Sequence, residues 1–165
     1  MRADWHVSQN HDVLFRWSRD DNSNFGGFGG NKPPSDGNVN TNITHQFAAG
    51  LDSVLTSKLT NSFRAAGTDF KNRLQRPPTD AQALGIAGLE NFRIVTDDGL
   101  LITGPDVNTP QSTFERFYQF RDDATYTSGS HTLRAGADVV RYRVSVINFA
   151  AGFPSITVVS PASRN

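Results

Sequence analysis

Residues 113–146, TFERFYQFRDDATYTSGSHTLRAGADVVRYRVSV, decide the fold. Phe114, Tyr118, Phe120, Ala124 and Tyr126 fall on one parity, and Glu115, Gln119, Arg121 and Asp123 on the other. Successive side chains of a strand point to opposite faces, so this period of two reads as a strand with one apolar face. Thr127-Ser128-Gly129-Ser130 is a tight turn. His131 to Val146 returns, with Leu133, Ala135, Ala137 and Val139 opposite Arg134, Gly136 and Asp138. The apolar phase then moves to Val140, Tyr142, Val144 and Val146, which predicts an extra residue, a β-bulge, near Val139-Val140.

Two earlier stretches repeat the pattern. Ala3, Trp5 and Val7 alternate with Arg2, Asp4 and His6; a polar turn at Ser8–His11 leads to Val13, Phe15 and Trp17, set against Arg16 and Ser18. Phe47, Ala49, Leu51 and Leu55 oppose Gln46, Gly50 and Asp52; the turn Thr56-Ser57-Lys58 leads to Leu59, Phe63 and Ala65, opposite Thr60, Ser62, Arg64 and Thr68. This last run is weaker, because Asn61 and Asp69 share the apolar parity. The hairpins cover about 2–20, 43–71 and 113–146, and the connections about 21–42, 72–112 and 147–165. Turns inside hairpins are short, and connections between them are long. Bacterial outer-membrane barrels have this asymmetry, with short periplasmic turns and long external loops. A soluble sandwich has no reason to sort loop lengths by strand parity. The fold expected is all-β: an antiparallel up-and-down meander, part of a transmembrane β-barrel, with about six strands and long loops at one rim.

Composition agrees. Of 165 residues, 36% are hydrophobic, 19% charged and 10% aromatic, against roughly 45–50% apolar, Gly included, and ~25% charged for a soluble domain. Disordered chains are poor in aromatics. Net charge is zero, which gives no basic field for nucleic acid, and without Cys there is no disulfide or thiolate metal site. No run of ~18 apolar residues exists for a transmembrane helix, but barrel strands need only alternation. Met1-Arg2-Ala3-Asp4-Trp5 has no apolar h-region, so export is expected to depend on a segment upstream. Single-chain bacterial barrels start at eight strands, so about six are expected to leave an open sheet with unpaired edges.

If one face meets lipid, the other meets a lumen. Arg16, Asp52, Arg64, Arg121, Asp123, Arg134 and Asp138 take lumen positions, and Trp5, Trp17, Phe47, Tyr118 and Tyr126 lipid positions, some at the interfaces. Arg116 and Asp122 share the lipid parity, which places them near a rim or behind a register shift. Phe25, Phe28, Phe92 and Phe153, in the long connections, are the candidate ligand contacts.

No catalytic, cofactor or metal site is expected. Asp20-Asp21-Asn22-Ser23-Asn24 begins like a calcium loop, but Phe25 and Asn31 stand where Gly and Glu belong. Gly26-Gly27-Phe28-Gly29-Gly30-Asn31-Lys32 lacks the Gly-Lys-Ser/Thr ending of a phosphate loop. The four His stand singly, no Gly-x-Ser-x-Gly occurs, and Asp97-Asp98 and Asp122-Asp123 are adjacent, which sends their side chains to opposite faces of a strand. The chain is read as a non-enzyme. The alternatives are a soluble all-β binding or adhesion module, such as a carbohydrate- or protein-binding sandwich, and an extracellular enzyme with no visible site.

The hairpin Phe117–Tyr126 and Ser128–Asp138, with its Gly-Ser-His-Thr-Leu-Arg-Ala-Gly-Ala-Asp return, resembles one in Oar-like TonB-dependent receptors. Arg2-Ala3-Asp4-Trp5-His6-Val7-Ser8 and Leu84-Gly85-Ile86-Ala87-Gly88-Leu89 resemble a repeated hairpin and a loop segment of the same family. The resemblance implies a bacterial outer-membrane barrel with a role in energy-coupled uptake or envelope assembly, and no catalytic residues. The implied partners are outer-membrane lipid, the remaining barrel strands, a plug domain, and TonB through a part outside this sequence, which holds neither a TonB box nor a plug.

Overall fold

The computed structural model describes residues 1–26, 37–76, 92–104, 106–149 and 151–159. Its strands are β1 (Arg2–Ser8), β2 (His11–Gly26), β3 (Asn38–Thr56), β4 (Leu59–Gln75), β5 (Arg93–Thr96), β6 (Ile102–Thr103), β7 (Gln111–Ser128), β8 (His131–Asn148) and β9 (Ser155–Val158). Six form one sheet in the order β1-β2-β3-β4-β7-β8, and three form a second in the order β6-β5-β9. The main sheet is open, with β1 and β8 at its edges, as expected of six strands, too few to close a bacterial single-chain barrel.

The chain divides into two units. The first comprises Met1–Asp21, Ile43–Lys71 and Phe114–Ser145. Its hairpins are closed by two-residue turns, Gln9-Asn10, Ser57-Lys58 and Gly129-Ser130. These turns share one end of the sheet: the Asn10 carbonyl accepts from the Val54 amide at 2.8 Å, and the Lys58 carbonyl from the Thr127 amide at 2.8 Å. Gly129 has φ +62°, a backbone state that carries little penalty only without a Cβ. In β1–β2, Ala3 pairs with Phe15, Trp5 with Val13 and His6 with Asp12, and the register shifts between His6 and Ser8.

The second unit comprises Asn22–Asn42, Asn72–Thr113 and Val146–Asn165. Here strands reach beyond the expected hairpins. β2 continues to Gly26, β3 begins at Asn38 and β4 ends at Gln75. The end of β2 shows no apolar parity, whereas Val39, Thr41 and Ile43 of β3 alternate with Asn38, Asn40 and Asn42 in a run too polar to read as a strand. Asn side chains bond across strands instead: Asn42 Nδ2 donates to Asn22 Oδ1 at 3.0 Å, and Asn72 Nδ2 to Asn40 Oδ1 and Asn42 Oδ1 at 2.5 and 2.6 Å. The connection expected over 72–112 holds β5 and β6, and the tail expected over 147–165 holds β9. β5 pairs antiparallel with β6 and parallel with β9, setting Ile94 against Ile156 and Val95 against Thr157. Two- to four-residue strands are too short to show a period. The calcium-like stretch 20–24 lies within strand β2 rather than in a loop.

The bulge expected near Val139-Val140 is corrected. Gln119 donates to Asp138 at 2.8–2.9 Å, and Phe117 meets Tyr142 edge-on at 6.5 Å. These odd positions of β7 therefore face even positions of β8 on both sides of Val139, and the parity never slips. Val140, Tyr142, Val144 and Val146 continue the face of Asp138. Phe117 supplies an apolar neighbour there, so no register shift is needed.

No hydrophobic residue is buried among the described residues. A soluble sandwich would enclose a dry core between its sheets; here Leu133 and Val139 are 69% and 62% exposed. The apolar face is open to its surroundings.

Candidate functional site

Contacts within the first unit sort its side chains onto two faces. A Cβ at Gly50 would meet Leu14 and the Arg64 side chain, so even positions of β2, β3 and β4 share a face. A Cβ at Gly67 would meet Phe47 and Tyr118, so odd positions of β3 and β4 share the other with even positions of β7. Alternation then places Arg16, Asp52, Arg64, Arg121, Asp123, Arg134 and Asp138 together on one face.

That polar face is cross-linked. Arg64 Nη2 donates to both oxygens of Asp52 at 2.7 and 2.8 Å, and Ser62 Oγ adds a 2.8 Å bond. Arg121 and Asp123 are two apart in one strand, hence on one side, and pair at 2.6 Å; Arg2 and Asp4 do the same at 2.8 Å. His6 Nδ1 meets Asp12 across β1–β2. Arg16 and Arg134 have no ion-pair partner among the described residues. Shallow hollows of about 230 and 420 Å3 open on this face, one beside Arg16 and Gln46, the other between Arg121 and Arg134. These side chains are solvated, so the pairs add little to stability. Their role is to make the face wettable.

The opposite face carries Trp5, Val13, Phe15, Trp17, Phe47, Leu51, Phe63, Tyr118, Phe120, Tyr126, Leu133 and Val139. Trp17 stacks on His45 with centroids 6.1 Å apart, and Phe47 meets Tyr118 at 6.4 Å. Beyond the level of Trp17, Phe47, Gly67, Tyr118 and Val139, this face turns charged. Arg19 pairs with Asp21 at 2.5 Å, and Arg116 Nε with Asp69 Oδ2 at 2.9 Å. Below that level β2 offers seven residues (11–17), whereas 47–56 of β3, 59–67 of β4, 118–128 of β7 and 131–139 of β8 offer nine to eleven each. That matches the ~9–11 residues with which a tilted strand crosses a bilayer.

The residues that fit the alternation badly therefore partner one another. Arg116 of β7 meets Asp69 of β4, and Asn61 of β4 donates to Asp122 of β7 at 2.9 Å. The first pair lies just past the aromatic level; in the second, Asn61 stands three residues from the Ser57-Lys58 turn and gives Asp122, seven residues from Gly129, a hydrogen-bond donor. A lone Arg on the lipid face costs about 2–4 kcal/mol at midplane and about 0–1 near an interface. Reading strands singly misses these pairs. The signal was two polar intrusions in each of two neighbouring strands at comparable spacing.

Of the candidate ligand contacts, Phe25 ends β2 and is exposed, and Phe92 is exposed before β5. Phe153 lies under the Arg76 guanidinium, 5.6 Å from the ring centroid. Phe28 and Leu84–Leu89 lie outside the described residues, as does nearly all of the glycine-rich stretch 26–32. No group of three or more His, Asp or Glu able to hold a metal occurs among the described residues. No helix is long and apolar enough to cross a membrane, which says nothing of strands.

No curated protein and no solved structure matches the chain. One protein-family model does, that of the outer membrane beta barrel domain, over residues 1–163. With a lipid-type face of bilayer height, a wettable face behind it and all short turns at one end, the chain belongs to the outer membrane beta barrel domain family and has its place in the bacterial outer membrane.

Proposed function

We propose that the chain supplies six strands to the barrel of a TonB-dependent-receptor-like protein of the Oar type, which takes part in energy-coupled uptake or envelope assembly. The observation that carries this reading is the pair of open edges. Every residue of β1 and of β8 is exposed. An unpaired edge in hydrocarbon leaves backbone donors and acceptors unsatisfied, so spanning sheets close on themselves. Further strands of the same protein pair with β1 and β8 and complete the wall. The charged face lines a lumen wide enough for a plug, and Arg16 and Arg134 are available to it. Phe25, Phe28, Phe92 and Phe153, which belong to the long connections of the sequence, are the residues proposed to meet a ligand. TonB acts through a part outside this chain, and no cofactor or nucleic acid takes part.

Capture by the periplasmic domain of TonB tests the class. The full-length protein, reconstituted in planar bilayers, is expected to bind that domain and to show no steady open conductance, because a plug fills it. A steady conductance without TonB binding would assign a passive pore instead.

A further inference from the structure

The charged zone past the aromatic level holds more than the Arg116–Asp69 pair. Asp69 and Lys71 of β4, Arg116 of β7 and Arg143 of β8 border one cleft of about 270 Å3, with Phe114 and Glu115. Asp69 is shared: one oxygen accepts from Arg116, and the other lies 3.6 Å from Lys71 Nζ. Arg143 has no carboxylate partner among the described residues. Glu115 has the opposite parity in β7 and belongs to the other face. On the outward face, then, three cations border a cleft that holds a single outward carboxylate, and two of them pair with it.

We infer that this cleft holds the phosphate of an anionic lipid headgroup. Its level supports this. Asp69, Arg116 and Arg143 stand about a dozen residues from the short turns of their own hairpins. At ~3.3 Å per residue and a tilt near 40°, that is roughly 30 Å along the membrane normal, just beyond an apolar band of about 25 Å. Guanidinium groups match phosphate oxygens with paired N–H donors, and basic side chains at this depth attract anionic headgroups. Phe114, on the outward parity beside Arg116, offers an apolar wall to the start of an acyl chain. The inference rests on the membrane assignment but not on the receptor class.

The test uses the full-length protein in phosphatidylcholine vesicles doped with spin-labelled phosphatidylglycerol, or with spin-labelled phosphatidylcholine as reference. The wild type is expected to immobilise the anionic lipid several-fold more than the zwitterionic one. Lys71→Gln with Arg143→Gln should bring that ratio close to one with the β-sheet circular dichroism unchanged, while Lys71→Arg with Arg143→Lys keeps it. Asp69→Asn should hold or raise it. Equal immobilisation in the wild type, an unchanged preference in the double Gln variant, or loss of preference in Asp69→Asn would overturn the inference. Loss of preference in millimolar inorganic phosphate would assign the cleft to free phosphate rather than to lipid.

Discussion

Phe47 and Tyr118 meet over a glycine. Their strands are separated by β4, yet the ring centroids are 6.4 Å apart, because Gly67 leaves the space between them empty. A Cβ at Gly67 would stand 2.3 Å from Phe47 Cζ and 3.1 Å from Tyr118 Cδ1. The aromatic level of the outward face is thus built on the absence of one methyl group.

Gly67→Ala is therefore expected to displace Phe47 and to destabilise the folded protein by about 1–3 kcal/mol, the range for overpacking a close contact. Urea unfolding in lipid vesicles measures it. Combined with Phe47→Ala, the two losses should be clearly less than additive, since the collision is gone. Full additivity would mean that the ring does not rest on Gly67.

Depth and face can be probed by arginine. Leu51→Arg, on the outward face between Phe47 and the Thr56 turn, should cost about 2–4 kcal/mol. Ala48→Arg, beside Arg16 and Gln46 on the polar face, should cost under about 1 kcal/mol, as a solvated surface change does. The same equilibrium unfolding measures both.

Gly129 holds φ +62° in the turn between β7 and β8. Gly129→Ala is expected to cost about 1–2 kcal/mol, and Gly129→Asn less, because Asn enters the left-handed region more readily. Unfolding midpoints of the two variants give the order directly.

The small second-unit sheet has its own pH dependence. The Thr96 hydroxyl and the Leu100 amide hold the Asp98 carboxyl below its ordinary range. A folded value below the unfolded one means that the turn contributes stability above the ordinary carboxylate pKa and loses it as pH falls through the lowered one. Amide exchange at Gly99 and Leu100 should therefore quicken at acid pH, after correction for the intrinsic rate, and Asp98→Asn should flatten that response.

The two faces were legible because a bilayer and a lumen impose opposite demands on neighbouring residues. The seven charged candidates, Arg16 to Asp138, share one face because each falls on the parity opposite the aromatic residues of its strand. Past Trp17 the end of β2 is polar on both parities, and the alternation of Val39, Thr41 and Ile43 in β3 is short and Asn-rich, so these ends read as loops although Asn22, Asn40, Asn42 and Asn72 hold them as strands. Tyr142 misled for a related reason: its apolar parity looked like a slipped register, whereas Phe117 provides an apolar neighbour on the polar face. Lys71 and Arg143 were invisible as a pair because the cleft joins β4 to β8 across β7, and no single hairpin contains it.

The central claim is that odd and even positions meet different media, and no cysteine of this sequence would compete with a label placed on it. Single cysteines at Phe120, Arg121, Leu133 and Arg134 of the full-length protein in vesicles, each carrying a nitroxide, can be relaxed by oxygen or by a water-soluble nickel chelate. Phe120 and Leu133 should respond mainly to oxygen, and Arg121 and Arg134 mainly to the chelate. Equal response at all four positions, or the reverse phase, would contradict the membrane-facing assignment.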